Sequence, residues 1–197
     1  MRALLFSGGV ESTCLAYQYR PDVLVTVDYG QIPAAGELRA AAFIANKLKL
    51  RHDVISVDAS ALGSGDLVGR DKASQSKVSE SWPFRNQLLL TLAAMKYASQ
   101  NLRELMIGTV VTDNVHADGT KQFIDRIESL VQCELPQVTI SAPAIAETTI
   151  DLVRASKVPM ELLRWAFSCH KAVVACGTCR GCSKTLDLFK QLDTVEK

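Results

Sequence analysis

The chain has 197 residues, 48% hydrophobic and 22% charged, which is ordinary globular composition and excludes the disordered and fibrous classes. Its 22 Lys and Arg against 21 Asp and Glu leave a formal charge of +1. That balance argues against a broad basic face for duplex nucleic acid, while leaving room for a local anion pocket. No apolar run approaches the roughly 20 residues that span a bilayer. Met1–Phe6 ends at a Ser-Gly-Gly turn with no cleavage-site pattern, so it reads as a strand and not as a signal peptide. A cytoplasmic protein without membrane attachment is expected.

In chain order, Arg2–Phe6 reads as a buried strand and Ser12–Tyr19 as a helix. Val23–Val27 is a second strand, and Ala34–Leu50 has helical periodicity with Leu38, Ala41, Ala45 and Leu48 on one face. Asp53–Val57 is a third strand. Asn86–Asn101 is a long helix with Leu88, Leu92 and Met95 spaced for one face. Leu105–Ile107 is a fourth strand, Lys121–Cys133 a helix, and Val138–Ala142 a fifth strand. The remainder reads as helical around a cysteine cluster. Short apolar strands alternating with helices predict an α/β fold: a parallel five-stranded sheet with helices on both faces. The expected division is 1–157 for this unit and 158–197 for a small C-terminal helical region packed on it. Residues 58–82 lack periodicity and are rich in Ser, Gly and charge. A loop of this length suggests a lid over the ligand edge of the sheet or a disordered insert.

Ligands in open parallel sheets bind beyond the carboxyl ends of the strands. The first such position holds Ser7-Gly8-Gly9-Val10-Glu11-Ser12-Thr13. The glycines allow a sharp turn and close approach of backbone N–H groups to an anion. Ser7, Ser12 and Thr13 add hydroxyls, and the helix behind them adds a partial positive charge. This is chemistry for phosphate oxygens, although neither the Walker nor the dinucleotide glycine pattern is present. The alternative is a plain turn with Ser12 as N-cap. Asp28 after the second strand suits a nucleotide or Mg²⁺ contact, or a cap. Arg85 suits bidentate grip of a phosphate or carboxylate. Asn86 is a ligand contact or a cap. Asp113, after Gly108, suits Mg²⁺ or the N–H pair of a purine-like ring. His116 reads as exposed loop, with an acid–base role as the lesser alternative.

Of six cysteines, Cys169, Cys176, Cys179 and Cys182 crowd into fourteen residues with Gly177 and Gly181 between them. Four thiolates at this spacing suit a closed tetrahedral Zn²⁺ site, with an iron–sulfur cluster as the competitor. Cys14 and Cys133 read as packing residues.

The motif Ser7–Thr13 after an N-terminal strand resembles the PP-loop of the ATP pyrophosphatases, with their adenine nucleotide alpha hydrolase-like fold. Within that superfamily the chain resembles the 7-cyano-7-deazaguanine synthase family of queuosine biosynthesis. The likeness rests on Asp28-Tyr29-Gly30-Gln31, on Pro83-Phe84-Arg85-Asn86, on Gly108 with Asp113, on Pro143 and on the cysteine cluster. It implies an ATP-dependent carbon–nitrogen ligase using ATP, Mg²⁺ and a structural Zn²⁺. Ser7, Gly8, Gly9, Glu11, Ser12, Thr13, Asp28 and Gly108 would hold ATP and its pyrophosphate. Gln31, Arg85, Asn86 and Asp113 would hold the acid, with Arg85 and Asp113 in catalytic roles. The implied substrate is 7-carboxy-7-deazaguanine, adenylated and passed to ammonia to give amide and then nitrile, in a homodimer.

Four departures mark a divergent member. Glu11 stands where the family carries Asp, and Ile32-Pro33 replace basic residues. Phe84 replaces a glycine, and Thr148-Thr149-Ile150-Asp151 lacks a lysine. These changes open an alternative in which the activated acid passes to another amine, such as one on a protein. A tRNA-modifying PP-loop enzyme and a non-enzymatic nucleotide-binding subunit are the further alternatives.

Overall fold

The computed structural model describes residues 1–193. Five strands form one sheet: β1 (Arg2–Leu5), β2 (Val23–Asp28), β3 (Arg51–Ser56), β4 (Glu104–Met106) and β5 (Thr139–Ser141). All neighbours are parallel, in the order β3-β2-β1-β4-β5, with Leu4 in register with Leu24 and Met106. The chain builds outward from β1 on one side, then returns to β1 and builds outward on the other. The reversal lies between β1 and β4, which is where open sheets of this kind bind ligands.

Alternation along the strands divides the apolar residues between two cores. Ala3, Leu5, Val25, Val27 and Leu105 face α3 (Arg85–Tyr97) and α4 (Lys121–Gln132). Leu4, Phe6, Leu24 and Met106 face α1 (Val10–Tyr19), α2 (Ala34–Leu48) and α5 (Thr149–Ser156). The strand β3 departs from the continuous apolar pattern because it is an edge strand, and Val54 is exposed. The helix α3 buries a different face from the one expected. Leu90, Ala93, Ala94 and Tyr97 are inside, Leu88 and Leu92 lie at the margin, and Met95 is exposed. Tyr97 sets this rotation, since its hydroxyl reaches Asp53 on the edge strand at 2.9 Å.

The stretch 58–82 contains two short 3₁₀ turns, Ser60–Leu62 and Gly65–Val68. Leu67 and Trp82 anchor it in the core, and Trp82 packs edge-on against Tyr29 with ring centroids 4.8 Å apart. Gly65 is required there: at φ +70 its Cβ would lie 1.9 Å from the Ser79 carbonyl oxygen. At the C-terminal end, α6 (Met160–Leu163) and α7 (Arg180–Asp193) send Leu163 and Leu188 into the core shared by α1 and α2. The chain between them is irregular until Arg180, and not helical as expected. It wraps the cysteine sulfurs, with Gly177 in the left-handed region at φ +75. Among the described residues no helix is long and apolar enough to cross a membrane.

Candidate active site

A cavity of about 280 Å³ opens at the carboxyl ends of β1, β2 and β4. One wall is the β1–α1 turn. The N-cap of α1 is Gly9, not Ser12, and no side chain caps it. The first N–H groups of a helix have no intrahelical partner, so those of α1 are left to face a ligand. The Ser12 and Thr13 hydroxyls both turn back to the Gly9 carbonyl, at 3.2 and 2.7 Å. They brace the turn, and Thr13 does not line the cavity. Gly8 also acts from behind. At φ +73 it lets the turn lie against α2, where a Cβ would be 2.7 Å from the Ala41 nitrogen. Gly108 brings the exit of β4 against the same helix end, since its Cβ would sit 3.3 Å from the Ser12 nitrogen. Beside it the buried Thr109 hydroxyl has no hydrogen-bond partner among the described residues, and Thr109 lines the cavity.

The facing wall is made of side chains. Arg85, the first residue of α3, is not a solvated surface charge. Burial works against its charge, but Tyr29, Asp118, Glu37 and Asp113 outweigh it and raise its pKa. Asn86 is bound to Asp118: its backbone N–H donates to the carboxylate at 2.9 Å and its side-chain amide to the carbonyl at 2.8 Å. It therefore joins α3 to the 117–119 turn and still borders the cavity. Asp113 accepts from the Val110 N–H at 3.1 Å and lies 3.8 Å from the Lys184 ammonium. His116 is lining, not exposed loop, and stands 3.8 Å from Glu80. Burial, aided by Arg85, lowers its pKa and favours the neutral ring.

Asp28 and Gln31 are one layer out, and neither lines the cavity. Asp28 accepts from the Gly30 N–H at 3.1 Å in a local turn. Gln31 accepts from the Tyr29 N–H and donates to the Val27 carbonyl and to Glu37, the last at 2.8 Å.

Sequence reasoning missed five charged or ionisable residues that share this cavity: Glu37, Glu80, His170, Arg180 and Lys184. Lys184 is the most telling. Its ammonium lies 2.7 Å from Glu11, whose carboxylate also accepts from the Thr149 hydroxyl at 2.8 Å. Burial would push the Glu11 pKa up, but Lys184 and the hydrogen bonds overcome it and hold it below the usual range. Arg180 pairs with buried Glu80 at 2.5 Å. The lysine missing from Thr148–Asp151 was a usable signal, because it left the late segment without a cation.

The cysteine cluster lies behind this wall. The four sulfurs fall within 4.8 Å of one another, and Cys176–Cys182 and Cys169–Cys179 are 3.9 and 4.0 Å apart. Tetrahedral Zn–S bonds of about 2.3 Å require sulfurs about 3.8 Å apart, so the donor set fits zinc in both chemistry and spacing. N–H groups of His170, Lys171, Cys179 and Cys182 point at the sulfurs, as thiolates need. His170 also faces the cavity, its Nδ1 buried without a partner among the described residues, and burial lowers its pKa to about 4. Cys14 is fully buried and burial pushes its thiol up to about 12, so it is an inert packing residue. Cys133 is not: it is exposed, its thiol directed at the Ser129 carbonyl.

The family model for "Queuosine biosynthesis protein QueC" matches residues 2–193. The chain belongs to the QueC family. Among its relatives, 7-cyano-7-deazaguanine synthase 1 of Desulfitobacterium hafniense is 28% identical, over 95% of this chain and 92% of that protein. The 7-cyano-7-deazaguanine synthases of Porphyromonas gingivalis and Campylobacter fetus are 29% and 27% identical, over 91% and 98% of this chain and 87% and 94% of theirs. With the PP-loop in place, the chain is an ATP-dependent enzyme of the QueC type.

Proposed function

We propose that this enzyme adenylates a 7-carboxy-7-deazaguanine-like acid with ATP and passes the activated carbonyl to ammonia. The observation that carries the reading is the uncapped N-terminus of α1 beneath the Ser-Gly-Gly turn, facing a cavity with Arg85, Arg180 and Lys184. The N–H groups of α1, with Ser7, hold the pyrophosphate end of ATP. Lys184 neutralises charge that builds as the acid's oxygen bonds to the α-phosphorus and pyrophosphate leaves. Arg85 grips the acid's carboxylate and fixes it for attack.

Ammonia then bonds to the acyl carbon, AMP departs, and the excess proton is lost to give the amide. A second adenylation on the amide oxygen releases pyrophosphate, and loss of AMP and of both amide protons then gives the nitrile. His116, kept neutral by burial, is the base at hand for the protons released. Glu11 and Asp113, both in reach of Lys184, are hard oxygen ligands for Mg²⁺, which would shield phosphate charge. Zinc on the four cysteines has a structural role, and the homodimer and cytoplasmic location belong to the same proposal.

The test is mass spectrometry of the protein with ATP, Mg²⁺ and 7-carboxy-7-deazaguanine, with and without ammonia. Pyrophosphate and AMP with amide or nitrile are expected in the presence of ammonia, and absence of pyrophosphate release would overturn the reading.

One observation favours a second acceptor. Exposed Trp165, Val173 and Val174 border an apolar groove that shares Phe167 with the cavity. A protein carrying the amine would find a surface there. Pyrophosphate release with a stalled adenylate, and no amide with ammonia, would shift the reading to it.

A further inference from the structure

Glu37 stands apart among the acids of the cavity. Among the described residues Glu11, Glu80 and Asp113 each have a cationic partner, and Glu37 has no ion pair. Among the described residues its side-chain hydrogen bond comes from Gln31, which is itself fixed by the Tyr29 N–H and the Val27 carbonyl. Gln31 therefore aims the carboxyl and leaves the rest of its acceptor capacity facing the cavity. Around the same cavity stand Val25, Val27, Leu67 and Leu89, an apolar lining suited to a flat ring. A carboxylate left among such groups is costly unless a ligand supplies donors. Burial pushes its pKa to about 7, against the opposing influence of Gln31 and Arg85.

We propose that Glu37 is the specificity-determining residue of the acid subsite, accepting two adjacent N–H donors from a guanine-like ring: the cyclic N–H and the exocyclic amino group. An adenine edge offers one donor and one acceptor, so it matches an ionised carboxylate poorly. This deepens the function proposed above and rests on it.

The experiment measures pyrophosphate release by the full chain and by Glu37→Gln and Glu37→Ala, with 7-carboxy-7-deazaguanine and its analogue lacking the 2-amino group. Glu37→Gln keeps the shape and the acceptor for Gln31, so it guards against a folding defect in the alanine variant. The wild type is expected to prefer the amino-bearing acid by about tenfold to a hundredfold, the range for a bidentate pair. In Glu37→Ala that preference disappears and KM for the acid rises by a similar factor, with KM for ATP within about twofold. A rise in KM for ATP instead, or an unchanged preference, overturns the proposal. If the wild type releases no pyrophosphate with this acid, the functional reading has failed. Calorimetry with 7-deazaguanine and its 2-desamino counterpart then decides Glu37 separately: weaker 7-deazaguanine binding in Glu37→Ala supports it, and equal binding overturns it.

Discussion

The two walls of the cavity are built from different material. The β1–α1 wall is main chain: the Gly9 end of α1, the Gly8 turn and the close approach of Gly108. Its parts are nearly consecutive, and their chemistry suits any phosphate. The opposite wall is side chain, drawn from α2, the 80–86 stretch, the 113–116 turn and α7. Glu37, Glu80, Arg85, Asp113 and Lys184 come from segments far apart in sequence. Such a wall carries charge in a fixed pattern, and in the function proposed above it is the wall that selects the acid. The comparison teaches that the first wall tolerates little change of shape and the second little change of charge.

The largest effect should come from behind the side-chain wall. Arg180 follows Cys179 directly and Lys184 lies two residues beyond Cys182, both at the start of α7. Cys179→Ser removes one buried thiolate from the cluster, and loss of a structural metal site typically destabilises by several kcal/mol. The expected outcome is loss of one zinc per chain by metal analysis, with a fall in Tm and loss of activity together. A variant with full zinc content, or an unchanged Tm without zinc, would detach this wall from the cysteine centre.

Gly8→Val tests the main-chain wall. Its Cβ would meet the Ala41 nitrogen at 2.7 Å in a left-handed conformation that a β-branched residue rarely adopts. The expected cost is about 3 kcal/mol or more, read from denaturant unfolding, and ATP turnover should be lost with it. If stability holds, the turn is less constrained than its contacts with α2 imply.

Lys184→Met keeps the length and removes the charge. Turnover should fall by about a hundredfold or more, with a smaller change in KM for ATP and little loss of fold, since Lys184 is partly exposed. The same variant reports on Glu11. A carboxylate whose folded pKa is lowered contributes stability above the ordinary glutamate range, and loses it as pH falls through the lower folded value. Without Lys184 the burial cost at Glu11 has less to oppose it, so its pKa should rise. Acid unfolding of Lys184→Met should therefore begin at higher pH than in the wild type, and Glu11→Gln should cancel that shift. An acid limb that does not move would show that the pair contributes nothing to stability.

How much of this could be read in advance follows the same division. The parallel sheet, the Ser7–Thr13 turn and the four cysteines are local patterns, and each was legible. The rotation of α3 was not, because Leu88, Leu92 and Met95 match a helical face as well as Leu90, Ala93 and Tyr97 do, and the Tyr97–Asp53 bond decides between them. Asp28 and Gln31 sit at the expected strand end but bond inward to their own turn, a choice made by the conformation at Gly30 and by Glu37. Lys184 and Glu11 are 173 residues apart, and their contact depends on α7 docking beside α1. Charges that meet only through tertiary packing leave no spacing to detect.

The smallest effect concerns how the side-chain wall is anchored. Phe84 is the N-cap of α3 at φ +62, and it is 74% exposed. A bulky residue in the left-handed region costs about 1–2 kcal/mol, and an exposed ring recovers little of that by burial. Glycine adopts this conformation freely, at an entropic cost of about 0.5–1 kcal/mol in the unfolded chain. Phe84→Gly should therefore raise stability by up to about 1 kcal/mol, measurable as a small increase in the denaturation midpoint. Arg85 follows directly, and its place is set by Tyr29 and the acids around it, so turnover should stay within about twofold. A stabilised variant with normal turnover means that the wall depends on where Arg85 points and not on Phe84. A stabilised variant that loses turnover means that the exposed ring at position 84 contacts a reactant, which would extend the acid-selecting wall to the mouth of the cavity.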